Sequence, residues 1–485
     1  MHVMRWPFMM LVLAVVVIGM GMPCRALTHS GHGGMPVYYK GPDDAVRRAL
    51  FLTDLLTHIT DSREARVVIL NDPALLPEEA IRIGQNLQGG QNLVIFLGPR
   101  TDAATLRIIL GEAVEVNPVT DPQSLRPADR LHGWAALVNW LSAPQVRARS
   151  MLDGVSLVPL VLTEKGEVAV GTGRIGLGVV WVVSPWLNDK GNVALREWPY
   201  FNYLVYSLVV WAAGGEVRPF ADYPASPVPH RAERVAIVMV VALLSLGTGV
   251  TFILVRRYSL AHPEALARIV SDAARFYRHE TADWEEVGFH RPLAGFLFLL
   301  AVGLVLFVVL MVYQQVVLFG LLLPSAQARG IWSLIVSFFN TFWLLFDWGT
   351  GTAFIKFFSQ YRVDDPQQGL KYGQFFVWWQ VLTGTVQLGA VALVAAFIIP
   401  GTANAFMSYF IILHALIQFP GFLRIFQYIF RSYQRQDYDQ ALNLVLFLSP
   451  VLTQSVAVLL LTRWGAAHPT FGPAMGGVFG LDFGF

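Results

Sequence analysis

The chain has 485 residues, of which 55% are hydrophobic and only 14% charged, against roughly 25% charged in an ordinary soluble protein. A net charge of +2 offers no basic footprint for nucleic acid. The one cysteine, Cys24, excludes an intrachain disulfide. From Val235 onward long apolar runs dominate, several reaching the ~20 residues that span a bilayer.

In chain order, residues 1–27 pair a basic start at Arg5 with an apolar stretch from Phe8 to Met20, the pattern of a signal peptide or uncleaved anchor. Pro23 before Cys24 makes a poor lipidation box. His29 and His32 lie in a Gly-rich segment that reads as a mobile tail rather than a metal site.

Residues 28–234 carry ordinary charge and alternate strand and helix signals. "ARVVIL" reads as a buried strand. "LLPEEAIRIGQNLQGG" has a proline and two glutamates at its start and glycines at its end, the signals of a helix. "QNLVIFLG" is a second strand and "TDAATLRIILG" a short helix, so a parallel sheet is expected. Residues 157–186 read as a β-meander with turns at Lys165–Gly166 and Arg174, and "EWPYFNYLVYSLVVWAAGG" as a helix packed on the sheet. "GTGRIG" matches the dinucleotide fingerprint, which needs a helix after it. "VVWVV" follows instead, so these glycines are expected to turn a hairpin.

The order strand, N-D-P helix, G-G-x-x-L-V-I-F-L-G resembles the class I glutamine amidotransferase-like modules of exported bacterial proteins over roughly residues 65–215. Catalytic members carry a cysteine at a tight turn after a strand. Pro99 and Arg100 follow "VIFLG" here, and the domain contains no cysteine. The resemblance therefore implies a non-catalytic binding or packing domain, and no cofactor.

Six membrane helices are expected, at 235–255, 293–323, 331–358, 375–399, 405–423 and 441–461, with a seventh starting near Phe471. The linker 256–292 carries six Arg, segment 356–374 two Lys and one Arg, and loop 424–440 three Arg. Loops 324–330, 400–404 and 462–470 carry one, none and one. Because Lys and Arg accumulate on the cytoplasmic side, the first three are expected inside and residues 28–234 outside. Lys356 and Arg424 then mark the cytoplasmic face.

Polar residues interrupt the apolar runs. Asp347 lies 16 residues after Ile331, about 24 Å down a continuous helix, where a carboxylate should face the bundle interior or water. Gly349 and Ala353 make a small-x-x-x-small step for close helix approach. Asp364 and Asp365 before Pro366 read as a helix cap. Gln314 and Gln315 interrupt the first bundle helix, Gln380, Thr383 and Gln387 share one helix face, and His414 and Gln418 stand at i, i+4. Singly these read as interhelical hydrogen-bonding groups. Together they outline a hydrated cavity, rich in amides, suited to a bulky polar ligand.

"FDWGTGTAFIKFFSQYRVDDPQQGLKYGQFFVWWQ" and "FLRIFQYIFRSYQRQDYDQALNL" resemble the polysaccharide flippases of the multidrug/oligosaccharidyl-lipid/polysaccharide superfamily, over roughly 293–485. The resemblance implies an α-helical membrane bundle, one MOP/MATE-like lobe, behind an N-terminal extracytoplasmic α/β domain. The division expected is 1–27 signal or anchor, 28–234 α/β domain, 235–255 membrane helix, 256–292 cytoplasmic linker and 293–485 flippase-like lobe. It further implies transport of a lipid-linked oligosaccharide or polysaccharide precursor in a bacterial inner membrane, with glycan-assembly proteins or a second lobe as partners. The last residues, "GGVFGLDFGF", read as an unfinished sixth bundle helix, so truncation is expected. The alternative is a non-transporting scaffold or sensor whose outer domain binds a ligand. No Ser/His/Asp set or metal cluster stands out, so an enzyme is not expected.

Overall fold

The computed structural model describes residues 34–129, 133–262, 292–346, 349–419, 422–432 and 436–484. The signal or anchor, Cys24, His29, His32, most of the 256–292 linker and Asp347 lie outside the described residues.

The N-terminal part is an α/β domain. Its larger sheet runs in the order β2-β1-β3-β4-β10-β9-β8-β6. The strands are β1 (Met35–Lys40), β2 (Leu56–His58), β3 (Val67–Asn71), β4 (Asn92–Phe96), β6 (Leu125–Pro127), β8 (Val158–Thr163), β9 (Val168–Ile175) and β10 (Gly178–Val183). β5 (Glu115–Val119) and β7 (Arg149–Asp153) form a separate pair. The β2-β1-β3-β4-β10 half is parallel and the β10-β9-β8-β6 half antiparallel.

Side chains alternate across the sheet. Val68 and Leu70 of β3 and Leu93 and Ile95 of β4 meet helices α2 (Pro77–Gln88) and α3 (Ala103–Leu110), through Ile83, Leu87, Leu106 and Ile109. Val67, Ile69, Val94 and Phe96 point the other way, to α1 (Ala45–Leu50) and α4 (Phe201–Ala212). Period-two alternation in β-branched runs covered on both faces is what a parallel sheet between helix layers requires.

β10 follows "GTGRIG" directly, and the turn falls at Gly176 (φ +60°), two residues beyond the expected Arg174. A Cβ at Gly176 would lie 2.8 Å from the Gln88 backbone, so the close approach of α2 fixes the residue type. No helix N-terminus follows these glycines, which removes the phosphate-binding geometry.

The C-terminal part is helical. In order it contains α5 (Arg231–Ala261), α6 (Pro292–Val312), which runs on as a π-helix over Tyr313–Leu322, and α7 (Ala326–Phe346). Then come α8 (Thr350–Asp364), α9 (Pro366–Leu393), α10 (Ser408–Gln418), α11 (Phe422–Ser432), α12 (Gln436–Ala467) and α13 (Gly472–Gly484). Among the described residues, four helical stretches are long and apolar enough to cross a membrane: Arg231–Ala261, Gly303–Leu322, Gln367–Gly401 and Leu442–Ala467. The molecule is thus a membrane protein with an N-terminal α/β domain.

Three expectations for this half are corrected. The helix expected over 331–358 is two helices, because Gly349 is left-handed (φ +69°) and starts α8. The close helix approach belongs to Gly351 rather than Gly349, since a Cβ at Gly351 would meet Tyr428 Cζ at 2.6 Å. The described residues of segment 424–440 are helical rather than loop, α11 running to Ser432 and α12 starting at Gln436. The cap at Asp365 forms as expected: its side chain accepts from the Gln368 amide at 3.0 Å and Pro366 opens α9.

The α/β domain rests on one end of the bundle. Asn139 Nδ2 and the Tyr200 hydroxyl donate to the Ala403 carbonyl at 2.7 and 3.0 Å. Asn202 Nδ2 donates to the Pro469 carbonyl at 3.1 Å, and the Ser325 hydroxyl to Glu197 Oε2 at 2.7 Å. Tyr200 stands edge-on to Phe406, 6.3 Å between centroids. These contacts fall in or beside segments 324–330, 400–404 and 462–470, the three that are poor in basic residues.

Burial pushes the Glu197 carboxyl above its ordinary value, and the Ser325 hydroxyl and Arg196 offset part of that rise. A carboxyl raised on folding favours the protonated state. Its contribution is therefore fully present below the unfolded value and is lost as pH rises through the raised folded value. Glu197→Gln keeps an oxygen for Ser325 and removes the charge. The full-length variant should show a flatter melting temperature between about pH 4 and pH 7 than the parent chain. An unchanged slope would mean that Glu197 does not set it.

Candidate functional site

α10 is buried nearly all round: eight of its eleven residues are buried, among them Phe410, Leu413 and His414. A helix apolar on every face belongs in the middle of a bundle, so a histidine on it needs partners there. α13 supplies one. Gly476, Gly480 and Gly484 recur every four residues and form a seam against α12. Added Cβ atoms would meet the Leu461 carbonyl at 2.2 Å, Val458 Cα at 2.5 Å and Gln454 Cα at 2.3 Å. Bare glycine backbone thus lets α13 lie directly on α12.

Asp482 stands two residues from Gly480 and from Gly484. At 100° per residue it faces about 200° away from the seam, toward α10. Its Oδ1 lies 2.9 Å from His414 Nδ1, and the two side chains are 0% and 2% exposed. One turn along, Phe479 meets Phe410 with 4.5 Å between centroids. Phe479 and Asp482 (i, i+3) therefore face Phe410 and His414 (i, i+4) as two rungs.

Gln418 completes the centre. Its Nε2 lies 2.7 Å from His414 Nε2. An amide nitrogen only donates, so in this arrangement His414 Nε2 accepts. The ring proton then sits on Nδ1 and is donated to Asp482. From α7, Phe339 and Trp332 enclose the imidazole at 4.5 and 5.8 Å. An ionisable pair held inside apolar helices is costly unless paired and hydrogen-bonded, and such groups mark ion or substrate paths. Here it joins residues 68 positions apart.

Of the residues singled out from the sequence, only His414 and Gln418 meet in this centre. Gln314 and Gln315 lie in the π-helical stretch and are exposed, with Arg329 donating to the Gln315 amide oxygen. The neighbouring Tyr313 is the one that points inward, to Ser455 Oγ at 3.0 Å. Gln380 donates to Thr350 Oγ1 at 3.1 Å, tying α9 to α8. Gln387 is half-buried on α9, and Lys356 is exposed on α8. Arg424 lies on α11. Asp482 was missed. Its signal was a lone carboxylate in a glycine-spaced apolar run.

The carboxyl ends of the parallel strands, where α/β domains bind ligands, carry a second polar cluster. Asp72 holds the left-handed region at φ +52°. Its carboxylate accepts from the Arg100 amide at 2.8 Å and pairs with Arg100 Nε at 2.9 Å. Gly98 is required there, because a Cβ would meet Asp72 Cγ at 2.4 Å. Beside it, Asn71 Nδ2 donates to the Tyr39 hydroxyl at 2.9 Å and to Asp44 Oδ2 at 2.7 Å. The turn after "VIFLG" is thus tied down by an ion pair and presents neither thiol nor hydroxyl nucleophile at positions 98–100.

No family model and no curated protein matches this chain. Solved structures give low similarity. Cytoplasmic Protein STM1381 from Salmonella typhimurium LT2 aligns at 10% identity over 37% of this chain and 99% of its own, with a TM-score of 0.30. Cytoplasmic Protein STM3548 from Salmonella typhimurium aligns at 9% identity over 36% and 98%, with a TM-score of 0.29. The exo-beta-1,4-mannosidase Op5Man5 from Opitutaceae bacterium strain TAV5 aligns at 13% identity over 38% of this chain and 36% of its own, TM-score 0.26. Similarity at this level carries no conclusion about fold or function.

Proposed function

We propose that this chain is a flippase-like transporter of the bacterial inner membrane that moves a lipid-linked oligosaccharide or polysaccharide precursor outward, with its α/β domain on the outer side. The observation that carries the reading is the His414–Asp482 pair, an ionisable centre buried among apolar helices where a purely structural bundle has no need of charge. Two further features support it. The α/β domain touches the three bundle segments that are poor in Lys and Arg, in keeping with the positive-inside rule. A groove of about 570 Å³ opens at that junction, lined by Arg126, Leu141, Phe220 and Thr402 among others, where an emerging polar headgroup could rest.

A second reading is a membrane scaffold or sensor. It is favoured by the way the amides are spent on internal bonds, Gln380 to Thr350 and Gln315 to Arg329, rather than on one open cavity. Full-length protein in liposomes carrying a fluorescent lipid-linked oligosaccharide separates the two. Transport predicts that labelled headgroups become accessible across the bilayer faster than in protein-free liposomes. Equal rates reject it in favour of the scaffold.

A further inference from the structure

We propose that the His414–Asp482–Gln418 centre is a proton-binding site, in which the incoming proton adds to His414 Nε2 and the Gln418 amide rotates to accept it. The role of that proton as a coupling ion rests on the transport reading. The site itself rests on geometry.

With the Gln418 amide N–H donating to Nε2, the imidazole is neutral and donates from Nδ1 to Asp482. The pair then carries the carboxylate's negative charge in a fully buried place. Among the described residues the pair is flanked by neutral groups: Phe339 and Trp332 from α7, Phe410 from α10, and on α12 Gln454, which donates to the Leu481 carbonyl at 3.3 Å. Asp482 Oδ2 is buried and has no hydrogen-bond partner among the described residues. The nearest titratable contact on α10 is Tyr409 with Glu233 of α5, at 2.5 Å, five residues toward the helix start. A buried carboxylate without a full positive partner is expensive, so this centre gains by taking up a cation.

The donor set selects the proton. Metal cations of the hard class need six or more oxygens. This centre offers one carboxylate, one ring nitrogen and one amide. A proton needs a single lone pair, and Nε2 holds it. The balance is simple: an N–H bond forms at Nε2, the hydrogen bond from Gln418 N–H to Nε2 breaks, and Nε2–H donates to Gln418 Oε1 instead. The pair becomes imidazolium–carboxylate and net neutral. Because two N–H groups cannot face each other, ring protonation and the amide rotation are one event.

Proton uptake by purified full-length protein after an acid jump in weakly buffered detergent tests this without any substrate. Parent protein should take up a proton that Asp482→Asn loses, whereas in His414→Gln the lone buried carboxylate is left to take it up itself, at a midpoint moved from the parent's. Gln418→Met removes the N–H that opposes protonation and should shift the uptake midpoint to higher pH. Replacing choline chloride with sodium chloride should change nothing. Uptake identical to the parent in both pair variants, or a midpoint unmoved in Gln418→Met, overturns the proposal, as does competition by sodium. Should Asp482→Asn fail to fold, the Gln418→Met midpoint decides alone. Uptake without headgroup transport removes the transport reading and leaves the site. Transport without uptake does the reverse.

Discussion

Gly480→Leu should unfold the membrane half of the protein. The added Cβ would fall 2.5 Å from Val458 Cα and 2.7 Å from Val458 N. These are backbone atoms of the facing helix, which cannot rotate away as a side chain can. Ordinary overpacking costs ~1–3 kcal/mol, and a contact that forces two helix axes apart belongs at or above the top of that range. It also withdraws Asp482, two residues on, from His414. Melting temperature in detergent should fall steeply, while Gly389→Ala, where nothing lies within 4 Å of the new Cβ, should melt like the parent chain. Equal melting of Gly480→Leu and the parent would refute the seam.

Arg149→Ala should destabilise the α/β domain by about 1–3 kcal/mol, the cost of leaving partly buried hydrogen-bonding groups without their partner. The Arg149 side chain is 1% exposed, and its Nη2 lies 2.7 Å from both Glu167 Oε2 and Asp121 Oδ1. Its Nη1 donates to the Asp121 carbonyl at 2.8 Å. Glu167 closes the β8–β9 hairpin, its amide donating to Thr163 Oγ1 at 3.2 Å, so the lost pairing should loosen that hairpin first. Urea unfolding of the full-length chain, followed by tryptophan fluorescence, reads the loss. Arg149→Met combined with Glu167→Leu should recover most of it, because no unpaired charge then remains. A single variant within about 1 kcal/mol of the parent would contradict the assignment.

The sheet was largely legible because its signals are local. Val67–Asn71, Pro77–Gln88, Asn92–Phe96 and the three strands of the meander carry β-branched runs, an N1 proline or a terminal glycine within a few residues of where each element starts or stops. β1 and β2 were not, since "MPVYYK" and "LTH" become strands through parallel pairing with distant segments. In the membrane half, local apolarity located helices but not their breaks. Gly349 fits both a close-packed and a left-handed position. The basic residues of 422–432 read as a loop although they alternate with Phe and Ile at helical spacing. The candidate centre was half legible. His414 and Gln418 show themselves at i, i+4, whereas Asp482 acquires meaning only once the glycine seam turns it toward a histidine 68 residues away.

The central claim is that the His414–Asp482 pair works rather than merely packs. Asp482→Asn keeps the side chain's shape and a hydrogen-bonding oxygen for His414 Nδ1, and removes the charge. Headgroup transport by the full-length variant in liposomes, measured beside its melting temperature, is the direct test. The account predicts melting close to the parent with transport lost. Parental transport in a well-folded Asp482→Asn protein would contradict it and leave the pair as a structural hydrogen bond.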